Sequence, residues 1–262
     1  MSSKVWDFFS ELYKFRYALS QLVIQQLILR YRRTALGYLW TLINPLMMMS
    51  VMAIVFSSLF KSDLKTFAVF LFGGMIPWTY FSSVVAQSSS SLINNEGLIK
   101  KIYIPKGIFP LSIALGLMID SLFSFVALFF IILAVGGSLS LGLLFLPVSF
   151  LLLFLFAFGV GLILSIATVF FRDFQHIINI ALQGLFFLTP ILYKHEHLNG
   201  KLGLLVSLNP VTPYISLFRA PLVDGSFPDI NILIQTTVIS VVAVIIGLFV
   251  FLSQDKKIIF RM

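Results

Sequence analysis

Few positions in this chain could do chemistry. Asp120 is the one ionisable side chain deep inside a long uncharged run. A charge there is costly unless paired or wetted, so it marks either a strut bonded to a neighbouring serine or backbone, or a polar contact for something that passes. Arg30, Arg32 and Arg33 close the polar N-terminal stretch just before another uncharged run. At headgroup depth such a group fixes topology and meets anionic lipid, and guanidinium forks also suit phosphate oxygens. Trp78, Tyr80 and Phe81 crowd beside Pro77; aromatic faces stack on ligands while indole and phenol hydrogens bond hydroxyls. Tyr38 and Trp40 begin a span, where a place in the interfacial aromatic belt explains them equally well. His195-Glu196-His197 offers two imidazoles without further ligands, so no metal site is expected.

One chemistry is excluded. No Gly-x-x-x-x-Gly-Lys-Ser/Thr occurs, and the Gly200-Lys201 pair is followed by Leu202. The chain therefore cannot cradle ATP phosphates by a P-loop, and any ATP hydrolysis must come from another subunit.

The elements that position these residues follow from composition. With 59% hydrophobic and 11% charged residues and a mean hydropathy of +1.04, this is an all-α integral membrane protein, far from the roughly 25% charged content of soluble domains. A cleavable signal peptide is not expected, since Lys4, Asp7, Glu11, Lys14 and Arg16 occupy the N-terminal stretch. Cysteine is absent, which excludes disulfides. The net charge of +8 reads as cations gathered on the cytoplasmic side of a membrane, with no nucleic acid as partner.

Residues 1–33 mix apolar and polar side chains and fit one or two amphipathic helices lying in the interface, with Gln26 and Arg30 on the apolar side of the wheel. Six spans follow, at 34–60, 66–92, 109–135, 143–171, 177–193 and 230–252. Pro77 is expected to kink or break the second. Within the loop 194–229, Leu202 to Leu222 is mostly apolar but broken by Pro210, Pro213 and Pro221, which fits re-entrant half-helices packed against protein. With the N-terminus inside, the outer loops hold only Lys61, Lys65, Lys194, Lys201 and Arg219; the other thirteen of the 18 Lys and Arg lie inside. Both termini are therefore expected in the cytoplasm.

Between the second and third spans lies a charged island, 94–107. Asn95 is placed to cap a helix and Glu96 to meet its dipole. Leu98, Ile99, Ile102 and Tyr103 recur at helical spacing, Lys100 and Lys101 point elsewhere, and Pro105 ends the pattern. It reads as a short amphipathic helix on the cytoplasmic face, presenting one side to a partner.

Leu29 to Trp40 running into Asn44-Pro45-Leu46 resembles the lead into the first span of bacterial polysaccharide ABC exporter permeases. Gly73-Gly74-Met75-Ile76-Pro77-Trp78 is similar to their second span, and Asn94 to Pro105 to their first cytoplasmic coupling segment. Phe170-Phe171-Arg172-Asp173, Phe187 to Tyr193, and Leu208-Asn209-Pro210 with Pro213 resemble their fourth loop, fifth span and outer gate. The set spans nearly the whole chain in order, although no single motif is specific.

The resemblance implies the transmembrane subunit of an exporter for O-antigen or a related lipid-linked cell-envelope polysaccharide, in the cytoplasmic (inner) membrane. Two copies would form the channel and two copies of a separate ATPase, carrying ATP and Mg, would bind from the cytoplasm; this chain itself would hold no cofactor. Residues 1–33 would be the interface helix and 94–107 the coupling helix. Leu98, Ile99, Lys100, Lys101, Ile102 and Tyr103, with Arg172 and Asp173 on the next cytoplasmic loop, would meet the ATPase. Asn209, Pro210 and Pro213 would shape the outer gate. Tyr38, Trp40, Trp78, Tyr80, Phe81 and Asp120 become candidates for the channel wall, and Arg30, Arg32 and Arg33 for the substrate pyrophosphate. A teichoic acid or capsule exporter of the same class would look nearly the same. A secondary transporter would need several intramembrane charges in matched repeats, and a lipid-modifying enzyme would need clustered His, Asp, Glu or Ser near the headgroups. Neither pattern is present in the sequence.

Overall fold

A computed structural model describes residues 2–30, 36–135, 140–194 and 200–261. Arg32, Arg33 and His195-Glu196-His197 lie outside them. Eleven α-helices are described: α1 (Ser2–Lys14), α2 (Arg16–Arg30), α3 (Trp40–Phe60), α4 (Leu64–Asn94), α5 (Glu96–Lys101), α6 (Ile108–Val135), α7 (Leu146–Phe170), α8 (Phe174–Leu188), α9 (Gly200–Leu208), α10 (Thr212–Arg219) and α11 (Ile230–Arg261). Five of them, α3, α4, α6, α7 and α11, are long and apolar enough to cross a membrane. α8 is apolar but has only 15 residues, a length of about 22 Å against a hydrocarbon core of roughly 30 Å.

The helix ends follow from local chemistry. α3 stops where Lys61 turns left-handed (φ 51°) and the amides of Lys61 and Ser62 close on the Ser58 and Ser57 carbonyls. α4 starts at Asp63, whose carboxylate accepts from Thr66 N at 3.0 Å and Thr66 Oγ1 at 3.1 Å; these bonds hold the Asp63 carboxyl below its ordinary pKa range. Pro77 does not break α4, which runs through it as one helix. The expectation of an Asn95 side-chain cap is corrected: Asn95 Nδ2 reaches back to Ser91 O at 2.8 Å, so the amide finishes α4 and does not open α5.

α4 is the centre of the bundle, packed by α3, α6, α7 and α10, and α11 closes against α7. The α7–α11 seam depends on glycine. A Cβ on Gly159 would lie 2.5 Å from the Ala243 carbonyl carbon, and one on Gly247 the same distance from Gly159 O. Small residues here let two apolar helices meet backbone to backbone, which is how helices hold together where hydrophobic burial offers no driving force. Stacked rings run across the bundle: Phe81 of α4 on Phe156 of α7 at 5.0 Å, then Phe156 on Tyr214 of α10 at 4.9 Å. The Tyr214 hydroxyl lies 2.6 Å from Ser240 Oγ and 3.0 Å from Thr236 O of α11. α10 is thus buried among α4, α7 and α11.

α2 packs along the N-terminal half of α6. Gln26, the misfit on the amphipathic wheel, donates from Nε2 to Ser112 Oγ at 3.0 Å. A Cβ on Gly116 would meet Gln26 Oε1 at 2.9 Å. The polar residue on the apolar side is therefore a helix–helix bond, made possible by a glycine on the facing helix.

Candidate functional site

Three places bring the candidate residues together, beginning at the α5 end. Lys100 Nζ donates to Glu96 Oε1 at 2.6 Å, one turn apart. That bond, helped by nearby Arg172, holds the Glu96 carboxyl below its usual range. Arg172 and Asp173 are exposed in the α7–α8 turn, so α5 and this turn form one surface. Ile99 is buried, whereas Ile102 and Tyr103 follow the helix in extended chain and are exposed. The apolar knobs offered outward are therefore Ile102 and Tyr103, with Lys101 beside them, and Ile99 anchors the helix. α5 is also shorter than the expected 94–107 helix, because Ile102 leaves helical geometry before Pro105.

The segment that follows α5 is clamped on two sides. Tyr103 OH donates to Glu11 Oε1 of α1 at 3.0 Å, which pushes the phenol pKa up. Phe15 meets the Tyr103 ring edge-on at 6.3 Å. Lys106 Nζ donates to both the backbone oxygen and Oδ1 of Asp255 in α11, each at 2.8 Å. Between them Phe8 lies over Gly107, where a Cβ would come within 2.4 Å of its ring, and against Phe251. The N-terminal helix and the last helix hold the same six-residue stretch.

The second place is a cavity of about 480 Å³ between α3, α4 and α6. Asp120, Ser121 and Ser124 of α6, Thr79 and Ser83 of α4, and Thr41 and Asn44 of α3 supply its polar lining, with Met48, Met49 and Met75 opposite. Asp120 thus shares one cavity with hydroxyl and amide groups from three helices. Ser124 Oγ donates to the Asp120 carbonyl at 3.0 Å.

The aromatic candidates are placed differently from expectation. Trp78 and Phe81 are buried in the chain's own core, against Phe186 and Phe156. Tyr80 lines the cavity, yet its hydroxyl is engaged by the Ala114 carbonyl at 3.2 Å. The exposed residue of this group is Thr79. A helix turns about 100° per residue, so neighbours of Thr79 face protein while Thr79 faces out. Trp40 is partly exposed at the start of α3; Tyr38 lies in the 3₁₀ turn Gly37–Leu39 just before it, and α2 ends at Arg30.

The third place is the opposite end of the bundle. Asn209 is buried and its Nδ2 donates to Thr189 Oγ1 at 2.8 Å and Leu188 O at 3.4 Å, while its Oδ1 accepts from Val211 N at 2.9 Å. Pro213 is buried at the first turn of α10 and Pro210 is exposed. Arg219, at the far end of α10, donates to Pro190 O at 2.6 Å, Ile191 O at 2.7 Å and Phe70 O at 3.2 Å. Its guanidinium lies 3.5 Å from the centre of the Phe70 ring. The two ends of α10 therefore grip four consecutive residues, 188–191, where α8 stops. Sequence reasoning counted Arg219 only as an outer-loop cation. The signal for it was the adjacent glycine pair, Gly73-Gly74, which leaves room for a side chain lying on the α4 backbone.

A centrally packed bundle of apolar helices, a polar cavity among three of them, a clamped short helix at one end and the buried α10 at the other describe a helical membrane protein. The chain belongs to the ABC-2 type transporter family, whose description matches residues 17–223. It is 29% identical over 249 residues to the O-antigen export system permease protein RfbA of Myxococcus xanthus, covering 94% of this chain and 96% of that one. Similarity of 29% over 248 residues extends to RfbA of Klebsiella pneumoniae, covering 91% and 93%. The polysialic acid transport protein KpsM of Escherichia coli is 23% identical over 240 residues, covering 90% and 92%.

Proposed function

We propose that this chain is the permease subunit of an ATP-driven exporter that moves an O-antigen-like, lipid-linked polysaccharide out of the cytoplasm across the inner membrane. The observation that carries this reading is similarity to O-antigen export permeases along almost the full length of both chains. Energy comes from two copies of a separate ATPase holding ATP and Mg, consistent with the missing P-loop. α5, with Ile102, Tyr103 and the Arg172–Asp173 turn, is the coupling surface; Leu98 and Ile99 seat it, and Lys100 and Lys101 face headgroups or the ATPase rim.

Two copies form the conduit. α8 supports this: His176, Asn179, Gln183 and Phe187 recur at i, i+3, i+7 and i+11 and are all exposed, and Ile178 is its one fully buried residue. Amide side chains on an open face of an apolar helix require water or protein opposite them. α8 with the Thr189–Tyr193 turn serves as the fifth of six spans, both termini are cytoplasmic, and α9–α10 form a re-entrant extracytoplasmic gate. Arg30, Arg32 and Arg33 meet headgroup or substrate phosphate, and the Asp120 cavity contributes to the path or to its gating.

Co-purification with candidate P-loop ATPases tests the reading. The wild-type chain is expected to retain one, and alanine at Leu98, Ile102 and Tyr103 together to release it and stop export. Retention of no ATPase, with export intact in the triple variant, sinks it. Similarity to a polysialic acid transport protein supports, as the second reading, a polysaccharide other than O-antigen as cargo; the polymer that accumulates inside cells lacking this chain separates the two.

A further inference from the structure

Arg219 has an arrangement that a loop cation does not need. Its three nitrogen donors are spread over carbonyl oxygens from two segments, Phe70 O in α4 and Pro190 O and Ile191 O past the end of α8. Its plane covers the Phe70 ring. The facing helix is shaped for it, since a Cβ on Gly74 would sit 2.8 Å from Nη2. A planar fork with fixed donors suits this fan of acceptors, and an ammonium on a flexible stem does not. Carbonyls left exposed where a helix stops carry partial negative charge, so a cation placed there is held strongly in a dry site.

We propose that Arg219 is the positioning residue of the extracytoplasmic gate. It ties α10 to the end of α8 and to α4, so that the path is shut at rest and α8 and α10 shift together when it opens. Asn209 holds the same turn from the other end of α10, which makes the pair a bracket. α8 is otherwise sparsely packed and begins at the cytoplasmic-type Arg172–Asp173 turn, so a displacement of that turn is carried along α8 to the bracketed end. This deepens the exporter reading and rests on it for the direction of transport.

The test uses the permease–ATPase complex in liposomes loaded with a small fluorescent solute, scored for leak without ATP and for polymer exported per ATP hydrolysed. Arg219→Met is expected to raise the leak severalfold and lower the export ratio while ATP hydrolysis continues. Arg219→Lys should fall between it and wild type. Gly74→Val displaces the guanidinium but keeps the charge, and should reproduce the leak; it decides the matter alone if Arg219→Met does not accumulate. A folded Gly74→Val complex as tight as wild type overturns the proposal, as does a leak-free Arg219→Met complex with reduced thermal stability, which marks simple packing. Failure of the exporter reading shows separately, as a wild-type chain that retains no ATPase.

Discussion

Lys106 and Asp255, from the loop after α5 and from the end of α11, are joined by two 2.8 Å bonds, one to the carboxylate and one to the backbone. The lysine side chain is 10% exposed and the aspartate 41%, so the lysine is the partner that loses hydration. Lys106→Met is expected to lower stability by about 2 kcal/mol, between the values for exposed and buried pairs. Asp255→Asn keeps the backbone acceptor and should cost less. Thermal unfolding of the purified variants in one detergent gives the order, and equal losses would show that the carbonyl bond contributes nothing.

Thr79, Trp78 and Phe81 respond differently to a water-soluble thiol reagent. The natural chain has no cysteine, so single replacements can be read directly. Thr79→Cys should be labelled in membranes, whereas Trp78→Cys and Phe81→Cys should stay protected, because both rings are covered by this chain's own α7 and α8. Labelling at all three positions would mean that the helix rotates or the core opens during transport.

The α5 surface proposed to couple to an ATPase has a defined pH range. Glu96 has a depressed pKa, so the stability it adds is present above its ordinary value of 4.5 and is lost as pH falls through the lower folded value. Tyr103 has a raised pKa; its contribution is complete below the ordinary 10.0 and is lost as pH rises through the higher folded value. ATPase-subunit binding should therefore show no step from either residue between pH 6 and 9, and should weaken at both extremes. Glu96→Gln should remove the acid limb and Tyr103→Phe the alkaline limb. An unchanged profile in both variants would show that α5 is held without them.

At the α7–α11 seam, Gly159→Val or Gly247→Val drives a side chain into backbone, which has no rotamer to give way. The loss should reach about 3 kcal/mol, the upper part of the overpacking range, measured as detergent-resistant folded protein. Gly184→Val is the control, because a Cβ there meets nothing within 4 Å. Equal losses at all three sites would move the cause to helix propensity.

The five long apolar helices were readable because water and lipid impose long uncharged runs, whereas the expected span at 177–193 corresponds to the shorter α8; the Lys and Arg bias supplied an expected sidedness. The helix α5 was readable as an amphipathic island, but which of its neighbouring side chains face outward was not. Ile99 and Ile102 look equivalent on a wheel, yet Ile99 packs inward and Ile102 has already left the helix. Trp78 and Phe81 misled for a related reason. Aromatic side chains suit both a channel wall and a membrane core, and only the neighbour across the helix, Phe156 or Phe186, decides between them. Gln26 looked like noise in an amphipathic pattern until Ser112, distant in sequence, was found opposite it. Arg219, Lys106 and Asp255 were invisible for the same cause: their meaning lies in pairings that local periodicity does not encode. The seam of Ala243 and Gly247 against Gly159 was missed likewise, because its two sides lie on helices far apart in sequence.

The glycine seam also sets an order of events during synthesis. Gly159 is made well before Ala243 and Gly247, which belong to α11, made after the other ten described helices. Until α11 is inserted, the groove on α7 has no occupant from this chain, and neither the Tyr214–Ser240 contact nor the Lys106–Asp255 clamp can form. A chain truncated before residue 230 would carry four of the five helices long enough to cross a membrane, α3, α4, α6 and α7, and still lack α11, which closes against α7. The nascent protein thus completes its core and fastens its cytoplasmic-type clamp in the same late step.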